Sequence, residues 1–359
     1  MIPTLPRDAY VAEDVWADER ERIFAHQWFV VGRVDDVALP GDYLRAEVAG
    51  ECVLVVRADD GALNGFYNVC RHRGAELVDI NRPARGRIGP MIRCPYHQWT
   101  YGLDGRLRRR PFLPPDDDGE EIALHPVGVA TWGGFVFVHL TPDSAAPLSE
   151  HVGAVAERVR RYPLSDLRRG ASFTYDVAAN WKVLAENYNE CYHCGPIHPE
   201  LCELIPAFRH GGAGLEWEDG IPHRPGAWTF TTTGSSTRAP FPDLDDAERT
   251  RHKGELCYPN LLLSLAAEHV ASFTIRPHGR ARTTVVCDLL FHPDALASES
   301  FDPSDAAELW DLVNRQDWAI CESVQRGMSS RVWRGGWFAP MEDESADISR
   351  WYRSAMGEP

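Results

Sequence analysis

Two short loops constrain this chain more than any other part of it. In NVCRHRGAEL, Cys70 and His72 are separated by one residue. In IRCPYHQWTYGLDG, Cys94 and His97 are separated by two, and 21 residues lie between the pairs. Each pair follows a strand-like run and sits in a loop bearing glycine or proline, where a turn can aim two side chains at one point. Two thiolates and two imidazoles suit tetrahedral zinc. They equally suit a two-iron cluster with cysteines on one iron and histidines on the other. A zinc finger takes its cysteines from one segment and its histidines from another; here each loop carries one of each, which favours the cluster.

A chain of 359 residues exceeds what one hydrophobic core usually serves, so two domains are expected. Residues 12–27 carry apolar side chains at helical spacing. From Trp28 the texture changes to short Val-rich runs (FVVGRV, YLRAEVAG, CVLVVRA, LNGFYNV, GGFVFVHL), punctuated by Pro40-Gly41-Asp42, Asp59-Asp60-Gly61 and a Gly102–Gly105 turn. That pattern predicts an all-β domain over 28–142, with Pro114–Glu121 as a solvated acidic loop and 142–149 as a linker. The remainder, 150–359, reads as α+β. Helices are expected near 149–161, from Asn180 (which can cap it) and over 304–329. Strands are expected at 171–179, 227–233, 260–276 and 282–292, the last two forming a hairpin about 277–281.

A second constellation lies in NWKVLAENYNECYHCGPIHPELC, residues 180–202. On a helix continuing from Asn180, Glu190 and His193 share a face. His198 follows the break Cys194-Gly195-Pro196. Two imidazoles converging across a break, with one carboxylate, form a facial triad that leaves open positions on ferrous iron. Asp317 falls on the apolar stripe of 308–324, with Leu309, Leu312, Val313, Ile320 and Val324. A carboxylate there is costly unless it is paired or metal-bound. Asp311 and Glu322 lie off the stripe and read as solvated. A capping or core-paired Asp317, and a zinc site using Cys191, Cys194 and Cys202, remain open on these residues alone.

The loops Cys70-Arg-His72 and Cys94-Pro-Tyr-His97 resemble the Rieske pattern. Gln98 stands where many members have glycine. Arg71, Arg73, Pro95 and Tyr96 occupy the neighbouring positions, so the disulfide of the cytochrome bc type has no cysteines to form it. The segment Glu190-Cys-Tyr-His193-Cys-Gly-Pro-Ile-His198, with its leading Asn180-Trp181-Lys182, resembles the mononuclear-iron motif of Rieske non-heme iron oxygenases. The resemblance implies an α+β chain with an N-terminal all-β Rieske [2Fe-2S] domain (28–142) and a C-terminal helix-grip catalytic domain (150–359). The 1–27 helix would pack on the catalytic domain. By the same resemblance Cys70, His72, Cys94 and His97 hold the cluster, and His193, His198 and Asp317 hold Fe(II). Glu190 would carry electrons from His97 of a neighbouring subunit in a homotrimer. It implies a terminal oxygenase that activates O2 for a small-molecule substrate, fed by a separate NAD(P)H-dependent reductase of flavin or ferredoxin type. That reductase would dock around the His72 and His97 loops, since no G-x-G-x-x-G follows a strand in this chain. Many aromatic-ring dioxygenases have Asp where Glu190 stands. ECYHC is more similar to the branch acting on glycine betaine, carnitine and stachydrine by hydroxylation or N-demethylation. An aromatic-ring mono- or dioxygenase is the alternative. A Rieske electron carrier needs only about the first 140 residues, and a zinc protein would carry zinc at both sites.

Composition adds exclusions. A net charge of −16 disfavours nucleic acid and anionic membranes. No stretch approaches the roughly 20 apolar residues of a span. MIPTLPRDAYVAEDVW lacks the apolar core of a secretory signal, and nine cysteines are too sparse for a disulfide scaffold. A cytoplasmic protein with mostly buried, reduced thiols is therefore expected. Eight of the twelve tryptophans follow residue 180, and an aromatic cage for an ammonium group would draw on such side chains. Phe208, Trp217, Trp228 and Phe230 are the pocket candidates, with Arg209 or His210 as partners for a substrate carboxylate.

Overall fold

The computed structural model describes residues 1–113, 121–188 and 190–357; most of the expected acidic loop, 114–120, lies outside them. Two compact units form: residues 24–151, and residues 1–23 together with 152–359. No helix among the described residues is long and apolar enough to cross a membrane.

In the 24–151 unit the Val-rich runs become strands, where β-branched side chains pack well on a pleated surface. With Pro126–Trp132 and Arg85–Arg87 they form a seven-stranded antiparallel sheet in the order Phe29–Arg33, Phe135–His139, Pro126–Trp132, Leu63–Tyr67, Glu51–Arg57, Asp42–Val48, Arg85–Arg87. A smaller sheet joins Met91–Arg93, Thr100–Gly102 and Leu107–Arg109. The turn after Thr100–Gly102 needs Gly105: its φ is +81°, and a Cβ there would meet Phe66 at 2.4 Å. Tyr43, Leu54, Val56, Phe66, Ile92, Tyr101 and Leu124 bury around Cys70 and Cys94 in one core. The two thiols are thus rooted in the domain's interior.

The other unit is built on six antiparallel strands in the order Arg168–Val177, Arg282–Phe291, His269–Gly279, Leu261–Leu265, Arg251–Cys257, Ile221–Pro222. The helix Ser304–Met328 lies along the Arg168–Val177 strand. There the Tyr175 hydroxyl donates to Asp311 at 2.7 Å and accepts from Asn314 at 3.4 Å. This is the helix-grip arrangement. The N-terminal segment is stitched into it through Glu19, which is fully buried. Its carboxylate accepts from the Trp181 indole at 2.9 Å and the Tyr352 hydroxyl at 2.9 Å, and pairs with the Lys182 ammonium. The Trp-Lys dipeptide at the start of the second motif therefore serves to anchor residues 1–23. A buried ammonium that loses its counter-charge is costly. Glu19→Gln is expected to lower unfolding stability by about 1–3 kcal/mol, readable by urea denaturation; an unchanged midpoint would contradict the anchoring role.

Several local expectations need correction. The helix over 12–27 ends at Glu19 and opens into a wider π turn over Arg20–Phe24. The one near 149–161 spans Leu148–Arg158 and is broken at Gly153 (φ 46°, ψ −130°). Asn180 does cap its helix, its side chain accepting from the Lys182 N–H at 3.0 Å, but that helix stops at Asn187. Residues 260–276 are two strands separated by a turn in which the Ala266 N–H meets the His269 carbonyl at 3.0 Å. Residues 227–233 form no strand, because the Trp228 and Thr229 N–H groups both turn back to the Gly234 carbonyl. The helix Asp343–Ala355 was not anticipated. On Ser304–Met328, Leu312 and Val324 are exposed. Asp311 and Glu322, expected to be free, are tied to Tyr175 and to the Ala178 N–H. Cys191 and Cys194 are joined in a disulfide, so the expectation of reduced thiols fails for that pair; the other seven cysteines are free.

Candidate metal centres

Each of the first two loops closes back on its own cysteine. The Cys70 N–H donates to the Ala75 carbonyl and Gly74 N–H to the Cys70 carbonyl; the Cys94 N–H donates to the Trp99 carbonyl and Gln98 N–H to the Cys94 carbonyl. Asn68 pins the first loop from below, accepting from the N–H groups of Leu77 and Val78 at 3.1 and 2.9 Å. Gln98 takes φ +62°, the left-handed conformation that glycine adopts without penalty. The glycine of similar sequences thus has a backbone reason, and Gln98 departs from it in chemistry but not in shape. The two imidazoles meet with ring centroids 4.7 Å apart, and His72 stacks on Trp99 at 4.8 Å. Both cysteines are buried while His72 is exposed and His97 half-exposed. Burial, reinforced by the adjoining Cys70 thiol, raises the Cys94 thiol above its ordinary range. The Tyr101 hydroxyl lies 3.2 Å from the Cys70 sulfur and accepts from the Arg71 N–H at 3.1 Å. His97 Nδ1 is buried with no hydrogen-bond partner, which a metal ligand would be before its metal arrives. Two inner thiols and two outer imidazoles on one point fit a cluster of mixed ligation.

In the second unit, His193, His198 and Asp317 place one donor atom each within 4.8 Å of one another. The two Nε2 atoms are 3.2 Å apart, and Asp317 Oδ1 lies 2.9 Å from His198 Nε2 and 3.3 Å from His193 Nε2. Cis ligands about 2.1 Å from a six-coordinate ion sit about 3 Å apart, so this triangle has the dimensions of one face of an octahedron. The remaining ring nitrogens are held from behind. His193 Nδ1 bonds Glu190, and His198 Nδ1 bonds the Gln316 side-chain carbonyl at 2.7 Å. That fixes both Nε2 atoms toward the centre. Burial disfavours charge on His193, yet its bonds to Asp317 and Glu190 push its pKa up to about 10. The site therefore calls for a positive charge at its middle, and a divalent cation fits the donor set.

Glu190 and His193 do meet, but not on a shared helix face. The helix ends at Asn187, and a turn brings them together, with Glu190 accepting from the Tyr192 N–H at 2.5 Å. Gln316 escaped the sequence reading; its one signal was adjacency to Asp317.

The open side of the triangle faces a cavity lined by Phe208, Trp217 and Phe230 among the expected residues, but not by Trp228, Arg209 or His210. Trp228 is absorbed in the local turn that replaces the expected strand. Arg209 donates to the Cys202 carbonyl instead. The remaining wall was missed. It includes His252, Leu262, Ser264 and Phe273 from neighbouring strands, and Trp310, Val313, Asn314 and Trp318 from Ser304–Met328. Asn314 and Val313 precede Asp317 by three and four residues and Trp310 by seven, so they share its face, while Trp318 follows Asn314 by four; that spacing was the available signal. Trp310 is locked from behind: its indole N–H donates to His269 Nε2 at 2.9 Å, His269 Nδ1 bonds Glu268 at 2.8 Å, and Arg238 pairs with Glu268 at 3.1 Å.

Burial and neighbouring imidazoles push His252 down to about 3, and burial chiefly takes His223 down to about 4. Unfolded, both titrate near 6.5. The unfolded chain thus binds more protons below that pH, so stability is full above 6.5 and falls as pH drops toward 4 and 3. About 2 kcal/mol per histidine should be lost between pH 7 and pH 5. Urea denaturation at the two pH values checks this: the loss should shrink in His252→Phe, and an unchanged loss would contradict it.

The Rieske [2Fe-2S] domain family matches residues 27–132, and the ring hydroxylating alpha subunit (catalytic domain) family matches 164–358. The glycine betaine monooxygenase oxygenase subunit of Chromohalobacter salexigens is 30% identical, over 98% of this chain and 86% of that protein. The carnitine monooxygenase oxygenase subunit of Acinetobacter pittii is 31% identical, over 92% of this chain and 87% of that protein. The crystal structure of the quaternary ammonium Rieske monooxygenase CntA with γ-butyrobetaine superposes with a TM-score of 0.76 at 26% identity, covering 99% of this chain and 95% of that one. Such oxygenase subunits use a [2Fe-2S] cluster and a mononuclear iron, and draw electrons from NAD(P)H through a separate reductase. With the catalytic family matching more than half of its length, and full-length relatives of the same architecture, the chain belongs to the Rieske oxygenases as a terminal-oxygenase alpha subunit.

Proposed function

We propose that this oxygenase hydroxylates an N-methyl group of a small quaternary ammonium compound. The observation that carries the reading is the donor triangle of His193, His198 and Asp317 opening onto an aromatic cavity, in a chain whose similar proteins are named for betaine and carnitine. Cys70, His72, Cys94 and His97 would hold the cluster; His193, His198 and Asp317 would hold Fe(II). When bound, these groups supply single electrons and activate O2 for insertion of one oxygen atom into a C–H bond.

The chain's own residues do the rest. Aromatic faces attract the ammonium head, each by about 0.5–2 kcal/mol, and keep water from the reacting methyl. Gln316 and Glu190 orient the histidines. O2, two electrons and two protons convert N–CH3 to N–CH2OH and water; the hemiaminal then loses formaldehyde and a proton, leaving the demethylated amine. Glu190 would carry the electron from the partner subunit's His97 into His193, in a cytoplasmic homotrimer. Metal and sulfide analysis with EPR of the dithionite-reduced protein tests the cofactor assignment. Two cluster irons, two sulfides and one further iron per chain are expected; zinc alone would sink it.

A further inference from the structure

The cavity beside the iron triad is lined by aromatic and aliphatic side chains, and no Lys or Arg is among its described lining residues. Residues 114–120, 189 and 358–359, outside the described set, contain none either. Away from the iron triad and the cation it would hold, the charged side chain among the described lining residues is the Glu190 carboxylate. With the reacting methyl at the triad, a carboxylate on the substrate's far end would lose its hydration without meeting a cationic side chain. An ammonium head meets the opposite situation among Phe230, Phe273, Trp310 and Trp318.

The wall also holds polar groups whose capacity is unused. Ser264 is taken by the Tyr188 hydroxyl at 2.6 Å and Asn314 by Tyr175 at 3.4 Å. His252 Nδ1 and Trp318 Nε1 are buried with no hydrogen-bond partner. His252 is 6% exposed and packs its ring on Phe230, with centroids 4.7 Å apart. A buried nitrogen of this kind is costly unless something in the cavity meets it.

Taking the ammonium reading as given, we infer that this oxygenase selects an ammonium compound bearing a neutral hydrogen-bonding group, such as a hydroxyl, in place of a carboxylate, and that His252 is the residue that meets that group. Burial keeps the His252 imidazole uncharged in the folded protein, down to about 3, so it meets a hydroxyl as a neutral partner and offers no charge to a carboxylate.

The test uses the metal-loaded enzyme with a surrogate reductase and follows formaldehyde release from the ammonium probes and, by mass spectrometry, hydroxylated product from the carbon analogue. Four probes are compared: trimethylammonium carrying 2-hydroxyethyl, carboxymethyl or propyl, and the uncharged carbon analogue 3,3-dimethylbutan-1-ol. The hydroxyethyl compound should exceed the carboxymethyl one in kcat/KM by about tenfold or more. In His252→Phe the ratio of hydroxyethyl to propyl should fall toward one; His252→Gln, which keeps a hydrogen-bonding group, should retain most of it. A carboxymethyl compound turned over as well as the alcohol, or a ratio unmoved in His252→Phe, overturns the inference and leaves the ammonium reading standing. Turnover of the carbon analogue with none of the ammonium compounds overturns both.

Discussion

Asp317→Ala is expected to lose the mononuclear iron, keep the [2Fe-2S] cluster, and drop in turnover by about 10³-fold or more. Asp317 supplies one corner of the triangle, 2.9 Å from His198 Nε2, and the charge that the ion contributes at the reacting centre is worth several kcal/mol. The cysteine-bearing loops lie in the other compact unit, so their colour and EPR signal should persist. Iron-to-sulfide ratios separate the outcomes: a fall of one iron per chain with sulfide constant is predicted, and unchanged iron with normal turnover would remove Asp317 from the ligand set.

Glu190→Ala should behave differently. Both metal centres should remain, because the three donor atoms at the triad stay in place, yet turnover should fall by about 100-fold or more. Glu190 accepts from His193 Nδ1, and its proposed task is to link that imidazole to the electron donor. Rapid reduction of the cluster by the reductase, followed by slow reoxidation in the presence of substrate and O2, is the expected signature. Glu190→Gln should recover part of the rate by keeping a hydrogen-bond acceptor. Cluster reoxidation at the unaltered rate in Glu190→Ala would refute bridging.

The difference between what the residues alone disclosed and what needed the fold follows from range. Cys70 with His72, Cys94 with His97, and His193 with His198 are each read within a few residues, because a turn suffices to converge them. Asp317 was reachable because a carboxylate on an apolar helical stripe is anomalous in itself. The aromatic wall was not reachable: Phe273 and Leu262 stand opposite each other in adjacent strands, and His252 joins them only through sheet order. Trp228 was misplaced because the Thr-rich 227–233 run has strand composition, while its N–H groups are satisfied by a local turn at Gly234. The helix expected to carry Glu190 failed at Tyr188, which takes extended backbone (φ −68°, ψ 173°); propensity alone gives no sign of that exit.

The most direct test of the whole account is simultaneous measurement of O2 consumption and formaldehyde release by the reductase-coupled enzyme on trimethylammonium substrates. The account predicts one formaldehyde for each O2 consumed, dependent on substrate. O2 uptake that yields cis-diols from arenes, with no formaldehyde from any ammonium compound, would contradict it.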